Sequence, residues 1–329
     1  MVRKIGVSRD NQDVFAIDIW SGSLSATILT WGAVVQDLRL AGHEPPLVLG
    51  FKTFKHYPRY SPYFGAIVGR YANRVNDGQA KIAGRLHQFD TNFLGKHCLH
   101  GGKEGYGVRD WVLSDHAHDF VELQLTDPDG MMGFPGKVEL WVRYEISDGA
   151  TLAITITASS DTTTLFNPAH HSYFCLDDSN DVRSHEIKIS ADHYLPVDDE
   201  AIPTGEIATV TGTRFDLRIP NLIGDTGFDH NFCLGRERGP LSNVANVRSP
   251  RSGVAMQVAT TEPGLQFYTG HKLGPPVPGL IKQLYGPFSG FCLEPQIWPD
   301  APNNPHFPSA LLQPDSIYRQ QTTFAFHSG

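Results

Sequence analysis

The chain is poor in cysteine, in charge and in anything that reads as a helix. Its four cysteines, Cys98, Cys175, Cys233 and Cys292, lie far apart and make no paired metal-ligand spacing. That pattern fits buried free thiols and excludes a disulfide framework or a zinc ribbon. Only 19% of residues are charged, and 27 basic against 35 acidic residues leave a formal charge of −8 with no long basic run. Nucleic acids and anionic membranes are bound through clustered Lys and Arg, so neither is expected as a partner. No stretch approaches the roughly 18 apolar residues of a membrane span. The N-terminus is polar at Arg3-Lys4 and again at Ser8-Arg9-Asp10, before any segment of signal-peptide length forms, so cytoplasmic residence is expected. There is no Gly-x-Ser-x-Gly elbow, no phosphate-cradling loop ending in Lys-Ser/Thr and no dinucleotide fingerprint, which leaves nucleotide chemistry without support. His116 and His118 share one face of a possible strand, but no third ligand follows at a useful spacing, so no metal site is expected.

What the chain does have is a hydrophobic period of two. Val138, Leu140, Val142, Tyr144 and Ile146 alternate with Glu139, Trp141, Arg143 and Glu145. After Asp148-Gly149, Leu152, Ile154 and Ile156 alternate with Thr151, Thr155 and Thr157. The spacing predicts a hairpin over residues 137–158. Similar alternation marks 14–19, 28–40, 121–125, 186–189, 254–258 and 322–326. No dozen residues keep helical spacing, and 32 Gly with 23 Pro interrupt the sequence every few positions. The reading is all-β, a single domain over 1–329, because no Ser/Gly linker, low-complexity tract or fixed-period repeat marks a boundary. Residues 299–308, rich in Pro and Asn, read as an ordered surface loop.

Five polar stations stand out against this background: Asn73-Arg74, His100 in Leu99-His100-Gly101-Gly102, His171 in His170-His171-Ser172-Tyr173-Phe174, Asp229 in Gly227-Phe228-Asp229-His230-Asn231, and Glu294 in Phe291-Cys292-Leu293-Glu294-Pro295. A carboxylate in the apolar strand around Glu294 would be desolvated and its pKa raised, as suits a general base; the alternative is an outward residue of an edge strand closed by Pro295. His171 is a candidate proton carrier near neutral pH, or a structural histidine in an aromatic cluster. The glycines after His100 allow close approach of its imidazole to a ligand, though a turn histidine without a role fits equally. Asn73 and Arg74 offer fixed donors to hydroxyl oxygens, while Arg70 is an alternative as a structural ion-pair partner. Asp229 and Gln266, the latter in Pro263-Gly264-Leu265-Gln266-Phe267-Tyr268, can accept from hydroxyls beside rings that stack on sugar C–H faces.

In this order, the stations resemble the aldose 1-epimerase (galactose mutarotase) family. The resemblance extends to residues 46–51, 62–74, 99–102, 171–174, 228–231, 266–270 and 293–296, nearly the length of the chain. It implies a β-supersandwich of large antiparallel sheets and anomer interconversion of a free aldose, a monosaccharide such as galactose or glucose, without metal or cofactor. It implies Glu294 as the base at the anomeric hydroxyl and His171 as the acid at the ring oxygen. Asn73, Arg74, His100, Asp229 and Gln266 would hold the sugar. The family commonly has asparagine where this chain has His170, which leaves open a competing donor or an altered His171. A glycoside hydrolase using Asp229 and Glu294 and a non-catalytic sugar-binding protein remain as alternatives; preferred aldose and oligomeric state are not readable.

Overall fold

The computed structural model describes residues 1–61, 63–147 and 149–328. Pro62 of the 62–74 segment, Asp148 of the expected hairpin turn and the terminal Gly329 lie outside the described residues. The long alternating segments form a nine-stranded antiparallel sheet among the described residues. In spatial order its strands are Val112–His116, Phe120–Asp127, Val138–Ser147, Thr151–Ser160, Tyr318–His327, Ala255–Thr260, Ser242–Arg248, Glu186–Ile189 and Asn221–Leu222. The expected hairpin is its centre, with register running from Val138↔Ser160 to Ser147↔Thr151. Its apolar set, Val138, Leu140, Val142, Tyr144, Ile146, Leu152, Ile154 and Ile156, is buried, each such side chain contributing about 1.5–3 kcal/mol on removal from water.

A second sheet of four strands, Val2–Val7, Asp13–Ser21, Leu24–Leu29 and Val35–Leu40, packs its apolar face on the first through Ile17, Ile19 and Leu38. Here the single strand expected over 28–40 is corrected: it is two strands joined by a turn. Gly32 (φ 66°) and Ala33 (φ 50°) reverse the chain, and Leu29 N–H bonds the Val34 carbonyl at 2.8 Å. The alternation hid the turn because both strands bury the same face. Residues 299–308 also differ from a plain surface loop. Ala301 and Phe307 are buried beside Trp298, while Asn303, Pro305 and His306 are exposed.

The third large sheet, of five strands, carries Asp229, Gln266 and Glu294: Ala208–Thr209, His193–Tyr194, Asp229–Cys233, Gly264–Tyr268 and Cys292–Gln296. Its Phe232, Leu265, Phe267 and Leu293 join the same core as Leu140, Val142 and Phe324 of the nine-stranded sheet. Helix is confined to the single turn Tyr57–Tyr60 and short 3-10 turns among the described residues, and no helix is long and apolar enough to cross a membrane.

Candidate functional site

Strand register brings two of the stations, Asp229 and Glu294, to one face together with Gln266. Gln266 lies opposite both Asn231 and Glu294, and Tyr268 lies opposite both Asp229 and Cys292. Because side chains alternate along a strand, Asp229, Asn231, Gln266, Tyr268, Cys292, Glu294 and Gln296 all project from the same side. His230, Phe232, Leu265, Phe267, Leu293 and Pro295 project from the other. The edge-strand alternative for Glu294 is half right. Cys292–Gln296 is the last strand of its sheet, yet the Glu294 side chain is only 3% exposed.

His171 arrives from a different element. The strand Ala169–His171 pairs with Ala66–Val68, and just beyond it Phe174 and Phe291 exchange backbone hydrogen bonds of 2.7 and 3.0 Å. That seam lays His171 beside Cys292–Gln296, with its Nε2 3.6 Å from Glu294 Oε1 and its Nδ1 3.6 Å from Cys292 Sγ. Burial pushes the His171 imidazole down to about 4. Burial, reinforced by the negative charge of Asp229 and opposed by Arg74, holds the Glu294 carboxyl well above the usual carboxylate range. Its Oε2 has no protein partner. Each group is thus driven toward its neutral form, with the two 3.6 Å apart in a buried setting.

The other stations surround this pair. Asn73 (φ 61°) and His100 (φ 52°) clasp each other: His100 N–H donates to the Asn73 carbonyl at 2.9 Å, and Asn73 N–H donates to His100 Nδ1 at 3.1 Å. With Nδ1 accepting, the proton of neutral His100 is on Nε2, free to donate. Gly101 is required here, since a Cβ would stand 2.1 Å from the Gly69 carbonyl oxygen. The His100 ring lies 5.2 Å from that of His171, and burial, then His171 and Arg74, push its pKa well down. Asp229 accepts from Gln266 Nε2 at 2.7 Å and from Arg74 Nη2 at 3.1 Å. Burial alone would raise its pKa, but Arg74 and Gln266 outweigh it and keep the carboxylate charged. Arg74 also donates to Asn73 Oδ1 at 3.2 Å and stacks 4.8 Å from the Phe93 ring centroid. The seven expected residues therefore form one contiguous polar surface.

Two sequence ambiguities resolve. Arg70 is structural: buried, it bonds Asp127 at 2.7 Å and the carbonyls of Pro135 and Gly136 at 2.8 and 2.9 Å. His170 points away from the site into the core, its ring 6.1 Å from Tyr144 and 5.9 Å from Phe324, and burial takes it down to about 3. Sequence reasoning missed Tyr63, whose ring lies 4.6 Å from His100 and 5.7 Å from His171; no local pattern marks it. It also missed Cys292, which alternation from Glu294 would have supplied; of the rings it named beside Gln266, Tyr268 is the one that shares the site face.

Neither His/Cys/acid cluster among the described residues reads as a metal centre. In the first, Cys292 and Glu294 stand at opposite nitrogens of His171, each 3.6 Å away. In the second, of Cys175, Asp177 and His185, His185 Nε2 accepts from Leu176 N–H at 3.0 Å. Asp177 is bonded by Ser179 N–H at 2.8 Å and Ser249 Oγ at 2.5 Å.

Residues 16–325 match the model of the aldose 1-epimerase family. The chain is 41% identical to the galactose mutarotase of Sus scrofa over 93% of its own length and 92% of that protein's, and 40% identical to that of Homo sapiens with the same coverage. Among solved structures, an aldose epimerase homologue from C. elegans superposes with a TM-score of 0.89 at 30% identity, covering 95% of this chain and 98% of that one. A galactose 1-epimerase from Lactobacillus acidophilus superposes with a TM-score of 0.86 at 27% identity, covering 100% and 98%.

Proposed function

The chain belongs to the aldose 1-epimerase family, and on that premise we propose that Glu294 and His171 are the proton-transfer pair through which it interconverts the α and β anomers of a free aldose. The observation that carries this assignment is the buried Nε2–Oε1 approach of 3.6 Å between groups supplied by separate elements. Glu294 takes the proton of the anomeric hydroxyl as its oxygen becomes the aldehyde oxygen and the bond from C1 to the ring oxygen breaks. His171 Nε2 gives a proton to that ring oxygen. Rotation about C1–C2 exposes the other aldehyde face, and closure runs both transfers backwards. Each group must therefore act as acid and as base, which a pair sharing one proton can do.

Asp229 and Arg74, with Asn73, His100 and Gln266, hold the sugar hydroxyls. The unpartnered Gln266 Oε1 and Arg74 Nε are buried polar atoms that add to the site's demand for a polar ligand. The hydrolase alternative is disfavoured because Gln266 and Arg74 each hold one Asp229 oxygen, an arrangement that suits an acceptor of sugar hydroxyls more than a nucleophile or base opposite Glu294. Retention of both proton-transfer groups disfavours a purely sugar-binding protein. Galactose is expected among the substrates, since the mammalian relatives are galactose mutarotases. Free, widely spaced cysteines support cytoplasmic residence.

Polarimetry on freshly dissolved α anomers of galactose, glucose, xylose and arabinose tests the reading. Mutarotation faster than the uncatalysed rate is expected for galactose. Rates equal to the buffer blank for every sugar would reject it.

A further inference from the structure

We infer that Cys292 is the positioning residue of His171: its sulfur accepts the Nδ1 proton, so that Nε2 alone exchanges protons with the sugar. This rests on the assignment of His171 as the acid. A neutral imidazole has one donor and one acceptor nitrogen, and the bond made at one nitrogen decides the role of the other. Here the two nitrogens face different partners, Cys292 Sγ at Nδ1 and Glu294 Oε1 at Nε2, each at 3.6 Å. For Nε2 to receive a proton and return it, the second proton must stay on Nδ1. The residue's own carbonyl, which receives Gly65 N–H at 3.1 Å, has a second lone pair and also favours a ring N–H, so substitution at 292 is what separates the two acceptors.

The sulfur is well fixed for this task. Cys292 is fully buried, sits in register with Tyr268, and is hydrogen-bonded by the Tyr173 hydroxyl. A thiol and a phenol each donate and accept, so the chain Tyr173–Cys292–His171 stays satisfied whether the imidazole is neutral or charged. A carboxylate at 292 would orient the ring too, but it would put a second negative charge beside Glu294. A neutral thiol orients without that cost.

The test is 15N NMR of the histidine rings in the unliganded enzyme near neutral pH, with His171 assigned by difference from His171→Asn, alongside steady-state polarimetry. The wild type should show Nδ1 protonated and Nε2 bare. Cys292→Ser, which keeps a donor and acceptor, should retain that tautomer and kcat within about threefold. Cys292→Ala should give mixed tautomers and a kcat about tenfold lower with little change in KM. A wild-type ring protonated on Nε2 would overturn the inference, as would Cys292→Ala with the tautomer and kcat of wild type. An active His171→Asn would instead remove the acid assignment, a failure distinct from either of these.

Discussion

Replacing Glu294 with Gln keeps the shape of the side chain and removes its ability to hold a proton in exchange. A positioned general base contributes about 10²–10⁴ in rate, so kcat should fall by that factor, or roughly 3–5 kcal/mol in barrier. KM should move little, because the amide still offers hydrogen bonds to the anomeric hydroxyl. Polarimetry with α-galactose over a range of concentrations reads both constants. The same variant tests the electrostatics. Burial raises the Glu294 pKa above its ordinary 4.5, so between that pH and the folded-state value the native protein holds a proton that the unfolded chain has lost. Stability from this group is complete below 4.5 and declines as pH rises, by up to about 1.4 kcal/mol per unit. His171, lowered from 6.5 to about 4, has the opposite slope between those values, because there the unfolded chain binds the proton. Above 4.5 the two slopes therefore oppose each other wherever both groups titrate. In urea unfolding, Glu294→Gln should therefore gain on wild type as pH is raised above 4.5. Activity within a few-fold of wild type would refute the base assignment, and a stability difference independent of pH would refute the raised carboxyl.

Asp229→Asn leaves the Arg74 guanidinium without its anionic partner in a mostly buried setting. It should cost about 2 kcal/mol in urea unfolding, below the figure for a fully buried pair because Asp229 is 20% exposed, and KM should rise with kcat less affected. It also removes a negative charge that raises the Glu294 pKa, so the pH–rate profile should move to lower pH; an unmoved profile would uncouple the two carboxylates. His170→Leu should leave mutarotase activity within about threefold of wild type, since the side chain lies in the core. In wild type, burial of neutral His170 stabilises fully above 6.5, and that contribution is lost as pH falls toward 3. The difference of 3.5 units corresponds to at most about 5 kcal/mol, so the variant should show a shallower acid loss in a chemical-denaturation series. An equally steep loss would place the acid sensitivity elsewhere.

The large sheet was legible because its strands are long and bury one face only. Ten residues of alternation at Val138–Ser147 leave no second way to hide five apolar side chains. The turn at Gly32-Ala33 was not legible, because the period of two carries the same phase through both flanking strands, and the break is held in part by the long-range bond from Gly32 N–H to the Arg109 carbonyl, 2.7 Å. Short strands such as Arg74–Val75 and Cys98–Leu99, two residues each, are invisible to periodicity. They exist because tertiary packing holds Asn73 against His100.

The site divides along the same line. Its individual residues were readable from local chemistry and from the family resemblance, but their convergence depends on register, which no single strand encodes. Shifting Cys292–Gln296 by one residue against Gly264–Tyr268 would turn Glu294 into the core and Leu293 and Pro295 toward the sugar. Proper register is enforced from the apolar side, where Leu265, Phe267 and Leu293 are buried. The polar face is thus held in place by the hydrophobic one behind it. The two adjacent histidines obey the same parity. Neighbours on one strand cannot both face the sheet seam, and with His171 turned to Glu294, His170 must enter the core beside Tyr144 and Phe324. The imidazole of this chain places an aromatic ring there, with both of its nitrogens buried and without a hydrogen-bond partner among the described residues. The histidine at 170 therefore bears on the packing behind His171.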